Sequence, residues 1–293
     1  MSVSLRGKMH KRTKGLLDLC RVSNLPTVIS NCVGSWLLVA GSFGDLNLLV
    51  LVSGAVFLYS GGMIMNDVFD LAFDDEFRPD RPIPSGIVSK QLAVILTLLF
   101  MALGFVLMKL GGAQLFWVLS LGIVITAYNY FHKKWVHSVY IMGACRSILY
   151  VACASAVSAN IPNSIFAWSV CLGLYTAGIT VVARGESTDN VVPFYGIALL
   201  FSPLIVPIYL GFSGMHLMGI LVTGILWLSW TIYCLCIIKG SAEGRIGRSV
   251  SYLIAGMVLI DALAVSSQYG LYGLFFVTLV PLVIWFQSKV SGT

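Results

Sequence analysis

N-D-V-F-D-L-A-F-D-D-E-F-R-P-D-R-P-I-P-S-G, residues Asn66 to Gly86, is the stretch on which the reading of this chain turns. It holds six of the 12 acidic residues: Asp67, Asp70, Asp74, Asp75, Glu76 and Asp80. It follows an apolar run, 46–66, that is long enough to cross a bilayer. Carboxylates are costly at membrane depth, so a cluster of them there marks a functional site. At about 100° per residue, Asp67, Asp70 and Asp74 fall near roughly 0°, 300° and 340° on a helix, sharing one face with Asn66 at its flank. Carboxylates on one face repel each other unless a cation lies among them. Hard oxygen ligands suit Mg²⁺, which in turn bridges carboxylates to phosphorylated substrates. The loop that follows carries Pro79, Pro82 and Pro84 and closes on Ser85-Gly86, a composition for an ordered loop rather than a helix. Arg78 and Arg81 ride on it, placed to reach an anion at the carboxylate end, and arginine suits bidentate phosphate contact.

Outward from this stretch the chain is a membrane protein. Of its 293 residues 58% are hydrophobic and 10% charged, against about 25% charged in a soluble domain; the mean hydropathy is +0.92. Apolar runs of spanning length lie near 24–42, 46–66, 90–110, 113–130, 139–159, 164–183, 191–211, 215–238 and 250–268. The expected fold is all-α, a polytopic bundle of nine transmembrane helices, or ten if the apolar stretch 271–287 crosses separately. Residues 1–23 read as a basic cytosolic or interfacial segment, with an amphipathic helix from Leu16 to Leu19 onward, and residues 24–293 as one transmembrane domain. The opening segment lacks the hydrophobic core and cleavage site of a signal peptide.

The basic residues set the orientation. Arg6, Lys8, Lys11, Arg12, Lys14, Arg21, Arg78, Arg81, Lys90, Lys133, Lys134, Arg184, Lys239, Arg245 and Arg248 all fall on one side if the spans alternate, with Lys109 alone opposite. The positive-inside rule then puts the amino terminus and the acidic cluster in the cytoplasm, with a bacterial inner membrane as the expected home. The +6 net charge reflects topology and contact with anionic lipid. No basic patch with interleaved aromatics points to nucleic acid. The seven cysteines are scattered, without a C-x-x-C pair, and read as packing residues.

A second polar island, Ala183-Arg184-Gly185-Glu186-Ser187-Thr188-Asp189-Asn190, ends the sixth run on the same side. Two acid-bearing helix ends facing each other would share a cation–phosphate pocket. At this point the residues resemble the UbiA superfamily of intramembrane prenyltransferases. Asn66, Asp67, Asp70 and Asp74 match its first motif, N-D-x-x-D-x-x-x-D, and Arg78-Pro79 with Arg81-Pro82-Ile83-Pro84-Ser85-Gly86 match the sequel. Tyr130-Phe131-His132-Lys133 stands where the family carries Tyr-x-x-Lys. The second family motif, D-x-x-x-D, is altered: with Asp189 in its second position the first falls on Gly185, and Glu186 offers a longer carboxylate. The Arg184-Gly185-Glu186 variant resembles the divergent UbiA-like branch of bacterial ebo gene clusters.

The resemblance implies a Mg²⁺-dependent transfer of an isoprenyl group from a prenyl diphosphate to a small aromatic or lipid-like acceptor, with release of diphosphate. It implies Asp67, Asp70 and Asp74 as Mg²⁺ ligands, Glu186 and Asp189 as second-metal candidates, and Asn66 as their orienter. Arg78, Lys133 and Arg184 become diphosphate-clamp candidates, and Tyr130 a ring face or hydrogen-bond donor for the reacting group. Arg21 and Asn24, where the first span enters the bilayer, line the acceptor pocket or anchor the interface. Arg146 within a span either pairs or functions, Asp261 reads as a hydrogen-bonded structural acid, and His132, His137 and His216 read as interfacial. A transporter, or a non-catalytic prenyl-lipid binder that lost the second motif, is the alternative. Transporters place ions near the midplane on broken helices, whereas these acids crowd one edge.

Overall fold

The computed structural model describes residues 2–40, 43–185, 192–210 and 215–290. The described residues are helical and contain no strand, as expected where the membrane offers no partner for a backbone amide. The basic opening segment is helix α1 (Ser2–Leu19), so that Leu16 to Leu19 end a helix instead of beginning one. A 3₁₀ turn at Val22–Asn24 leads into α2 (Leu25–Ala40), followed by α3 (Leu46–Phe69), the short α4 (Leu71–Phe77), α5 (Lys90–Leu110), α6 (Leu115–Phe131), α7 (Ser138–Ser155) and α8 (Asn163–Arg184). Then come α9 (Phe194–Leu199), α10 (Ile205–Leu210), α11 (Leu217–Lys239), α12 (Arg245–Tyr269), α13 (Leu274–Val277) and α14 (Leu279–Lys289).

Seven helical stretches among the described residues are long and apolar enough to cross a membrane, and α6 is a shorter apolar helix. This is fewer than nine or ten, for a local reason. The expected span 191–211 is interrupted by a 3₁₀ turn at Ser202–Leu204, where Pro203 withholds a backbone donor. The stretch still runs the length of α8: Gly196 lies against Val181, and the Ser202 hydroxyl donates to the Cys171 carbonyl at 2.9 Å. The final apolar stretch turns at Gly270, φ +63°, and breaks into α13 and α14. It doubles back on α12, where Gln287 Nε2 donates to the Ser251 carbonyl at 3.0 Å.

Two sizeable cores share the interior. One joins α3, α5 and α6, the other α8, α11, α12 and the carboxyl-terminal helices; α2 and α7 contribute to both and stand between them. Small residues set the closest crossings, as packing in lipid requires. A Cβ on Gly54 of α3 would stand 2.6 Å from the Met108 amide nitrogen of α5, and Gly143 of α7 lies directly against the Gly173 carbonyl of α8. On the outside, Leu98, Phe116, Ile123 and Ile225 are largely exposed, a surface suited to lipid tails rather than water. A third, smaller cluster puts Leu19 against Ile64, Ile83 and Val88, so α1 packs on the proline loop.

Candidate active site

The acidic stretch forms because α3 ends where its apolar run ends. Asp70 closes α3 with φ −84° and ψ −3°, and α4 begins on the next residue. The i, i+3, i+7 spacing survives this joint: Asp67, Asp70 and Asp74 are all buried, at 3%, 8% and 1% exposure, whereas Asp75, Glu76 and Asp80 are exposed. The three acids turn toward the protein and the other three toward solvent.

Basic side chains from three segments meet them. Arg81 Nη1, on the proline loop, bridges Asp74 Oδ2 at 2.8 Å and Asp67 Oδ1 at 3.2 Å. Arg21, between α1 and α2, reaches Asp67 Oδ1 at 3.3 Å. From the α6–α7 connection, His132 Nε2 and Lys133 Nζ stand 2.9 and 3.0 Å from Asp70 Oδ1. Burial pushes the Asp70 carboxyl up, but hydrogen bonding and charge from His132 and Lys133 outweigh it, leaving the group below the usual carboxylate range. Arg184, the last residue of α8, orders that connection: its guanidinium donates to the His132 carbonyl at 3.0 Å, to Ser138 Oγ at 2.8 Å and to the Val136 carbonyl.

A cavity of about 150 Å³ opens beside the cluster among α3, α6 and α7. Asn66 borders it and donates from Nδ2 to Asn129 Oδ1 at 3.1 Å; Asn129 in turn donates to the Gly62 carbonyl at 3.3 Å. Tyr128 lines the same space and packs its ring on His132, centroids 5.3 Å apart. Tyr130 turns the other way: it is half exposed, with Lys134 over its ring at 3.8 Å.

The structure thus gathers Asp67, Asp70, Asp74, Asn66, Arg21 and Lys133 at one place, with Arg184 one connection away. Arg78 is exposed on its loop, and Arg81 is the loop arginine at the carboxylates. Asn24 is buried but accepts from Gln287 of α14 at 3.3 Å, tying the carboxyl-terminal helix to the start of α2. Glu186 and Asp189 lie outside the described residues. Three site residues escaped the sequence reading of roles: His132, read as interfacial, and Tyr128 and Asn129, which one helical turn carries to the cavity; the sequence places Arg81 with Arg78 to reach an anion, but gives the diphosphate clamp to Arg78 alone of the two. A helical wheel of α6 separates Tyr128 from Tyr130 by roughly 200°, the signal that distinguishes them.

Among the described residues no three acidic, histidine or cysteine side chains converge on a point as ion ligands do; arginine nitrogens stand between the acids instead. The donor set nonetheless fits a hard divalent cation. Asp67 Oδ2 and Asp74 Oδ1 are buried oxygens with no hydrogen-bond partner, and an unpartnered buried carboxylate oxygen is stabilised by coordination.

The likeness to known proteins spans the chain. Residues 27–245 match the UbiA prenyltransferase family. A digeranylgeranylglyceryl phosphate synthase from Methanococcus aeolicus is 25% identical over 280 residues, covering 86% of this chain and 98% of that protein. A 4-hydroxybenzoate octaprenyltransferase from Pseudomonas fluorescens is 27% identical over 195 residues, 64% of this chain and 66% of that protein. Among solved structures, a UbiA homolog from Aeropyrum pernix K1 superposes with a TM-score of 0.64 at 18% identity, covering 82% of this chain and 95% of that one. A UbiA homolog from Archaeoglobus fulgidus bound to GPP and Mg²⁺ superposes at 0.52 with 15% identity, covering 94% and 99%. With an all-helical fold of this kind, and the first acidic motif folded into a buried carboxylate cluster, the chain belongs to the UbiA prenyltransferase family.

Proposed function

We propose that this protein is a Mg²⁺-dependent intramembrane prenyltransferase that joins the prenyl group of an isoprenyl diphosphate to a small aromatic or lipid-like acceptor. The observation that carries the reading is the meeting of Asp67, Asp70 and Asp74 with Arg21, Arg81, His132 and Lys133 beside an apolar cavity that Asn66 and Tyr128 line. In the reaction the allylic C–O bond breaks, its electron pair leaves with diphosphate, the carbon bonds to the acceptor, and the acceptor gives up a proton. Charge gathers on the leaving oxygens, so fixed cations aimed at them lower the barrier most.

Asp67 and Asp74 would hold Mg²⁺ through their unpartnered oxygens, and Asp70 would complete that set. Bound there, the ion supplies charge neutralisation at the leaving diphosphate. Arg81 and Lys133 already stand at the carboxylates and take up diphosphate oxygens as a substrate arrives; Arg78 is close in sequence to extend that clamp. Arg184 holds the His132–Lys133 connection in place. Tyr128, lining the cavity, presents a ring face to the allylic cation, the role the motif position suggested for Tyr130. Glu186 and Asp189 remain candidates for a second ion. The apolar walls keep water from quenching the cation.

In the bilayer the reading assigns ten crossings, with the broken stretches 194–210 and 274–289 each counted once. Their support is the contact of Gly196 and Ser202 with α8 and the return of Gln287 to α12. The amino terminus and the carboxylate cluster then face the cytoplasm, as the basic residues require.

The test is diphosphate release by purified protein supplied with geranyl, farnesyl or geranylgeranyl diphosphate and Mg²⁺, with and without a membrane extract as the acceptor source. A new prenylated mass, lost on chelation and in Asp70→Ala, is the expected result. Donor binding without any release would turn the reading toward a lipid binder.

A further inference from the structure

Asn129 is a buried amide on α6, 3% exposed, and each of its hydrogen bonds has a fixed sense. Its Nδ2 donates to two backbone carbonyls, Ile125 of its own helix at 3.1 Å and Gly62 of α3 at 3.3 Å. A side-chain amide has two N–H donors, so these carbonyls take both. The bond to Gly62 needs close backbones. A Cβ on Gly62 would stand 2.9 Å from Ile125 Cγ2, so glycine there lets α6 come within reach of the α3 carbonyl. Turning the Asn129 amide over would set its oxygen against two carbonyl oxygens, neither of which can turn in answer. The sense of an asparagine amide is decided by its partners, and here those partners are main chain.

That sense passes on to Asn66. With both N–H groups of Asn129 engaged, its Oδ1 is left as an acceptor, and Asn66 Nδ2 donates to it at 3.1 Å. Asn66 Oδ1 is then turned away from Asn129, and among the described residues it accepts no hydrogen bond. Asn66 borders the cavity and directly precedes Asp67, whose Oδ2 also has no partner. The main chain of Asn129 contributes separately: its carbonyl lies 3.1 Å from His132 Nδ1, while His132 Nε2 stands at Asp70. One residue of α6 thus bears on two positions of the acidic stretch, on Asn66 by its side chain and on Asp70 through His132.

An amide free to rotate offers either its nitrogen or its oxygen, and only the oxygen suits a cation. We infer that Asn129 is a positioning residue for the transfer reaction: it holds the Asn66 amide with the nitrogen toward α6 and the oxygen outward, so that a neutral oxygen is presented beside the carboxylates. The inference rests on the transferase reading, since it takes those carboxylates as the place where Mg²⁺ would be held. Asn129 acts through Asn66 and is not itself a ligand, because its donors and its oxygen are already engaged.

The test uses the full chain in lipid nanodiscs with an unreactive thio analogue of geranyl diphosphate, and follows binding of Mn²⁺ by electron paramagnetic resonance. Asn66→Ala, Asn129→Leu and the double variant form a cycle. Each single variant is expected to weaken Mn²⁺ binding by about tenfold or more, the scale for residues that orient metal ligands. The double variant should bind no more weakly than Asn66→Ala, since a residue that acts only through another adds nothing once that other is gone. Asn129→Ser, whose hydroxyl accepts from Asn66, should keep part of the affinity, and it carries the same cycle where Asn129→Leu gives no monodisperse peak. In wild type labelled with ¹³C at the asparagine side-chain carbonyls, Mn²⁺ should show a ¹³C hyperfine coupling that disappears in Asn66→Ala. A purely structural Asn129 would lower the unfolding temperature and leave Mn²⁺ affinity where it was. That outcome, an equal loss from the Asn129 variant with and without Asn66, or no ¹³C coupling in wild type overturns the inference. Mg²⁺-dependent diphosphate release is measured in parallel: if it is intact while the losses are additive, only the positioning role falls; if it is absent while the cycle holds, the transferase reading falls.

Discussion

Asp67, Asp70 and Asp74 are equivalent in the motif but not in their surroundings, and their variants should differ. Asp70 is held by a histidine and a partly exposed lysine. Asp70→Asn should lower diphosphate release by about a hundredfold or more, the scale of losing one preorganised charge contact, with little change in thermal unfolding. Asp67 instead faces Arg21, which is buried and is, among the described residues, the one non-glycine with positive φ, +49°. Asp67→Asn removes a charge from beside that arginine, so it should cost about 1–3 kcal/mol of stability as well as activity. Equal unfolding temperatures for the two variants would contradict this division. Arg184 acts through the connection that bears His132 and Lys133. Arg184→Ala should lower kcat/KM for the donor by about tenfold, mainly through KM, with partial recovery in Arg184→Lys; an unchanged KM counts against the role. The spacing alone revealed which acids turn inward. It did not reveal that Arg81 rather than Arg78 meets them, because both sit on a loop without a period to read.

At the scale of elements, the crossing of α7 and α8 positions both Arg146 and Arg184. It depends on Gly143 and Gly173, which leave no room for a side chain between the two backbones. Gly143→Leu should prise the helices apart, costing about 3 kcal/mol or the folded state altogether, read as loss of a monodisperse peak and of donor binding. Gly224 gives the contrast: a Cβ there meets only Leu263 Cδ1 at 3.8 Å, so Gly224→Ala should be tolerated. The start of α5 is fixed more locally, by Ser89 Oγ accepting from the Leu92 amide at 3.3 Å; such caps are worth about 1 kcal/mol. The bounds of this helix were legible as the apolar run 90–110, without its cap. The breaks at Ser202–Leu204 and Gly270–Gly273 were not, since each lies inside an apolar run whose composition continues unchanged across it.

For the whole molecule, the proposed topology puts the ends of α3, α6 and α8 at one face. In a background lacking the native cysteines, Ser241→Cys should react with an impermeant maleimide only from the cytoplasmic side, and Asn160→Cys only from the other. Labelling of both from one side would overturn the alternation of crossings.

The sequence by itself determined the class of the protein and the inward face of the acidic motif. Each of these depends on apolar length or helical period, both of which are local. Only the tertiary structure decided which cations meet which acids, that α2 and α7 divide the interior, and that Arg146 ends beside a cavity with its balancing acid behind an amide. Those outcomes join residues as far apart as Asn31 and Asp261. Such pairs are brought together by which helix faces pack, a choice made by shape and small-residue contacts that no single window of the chain contains.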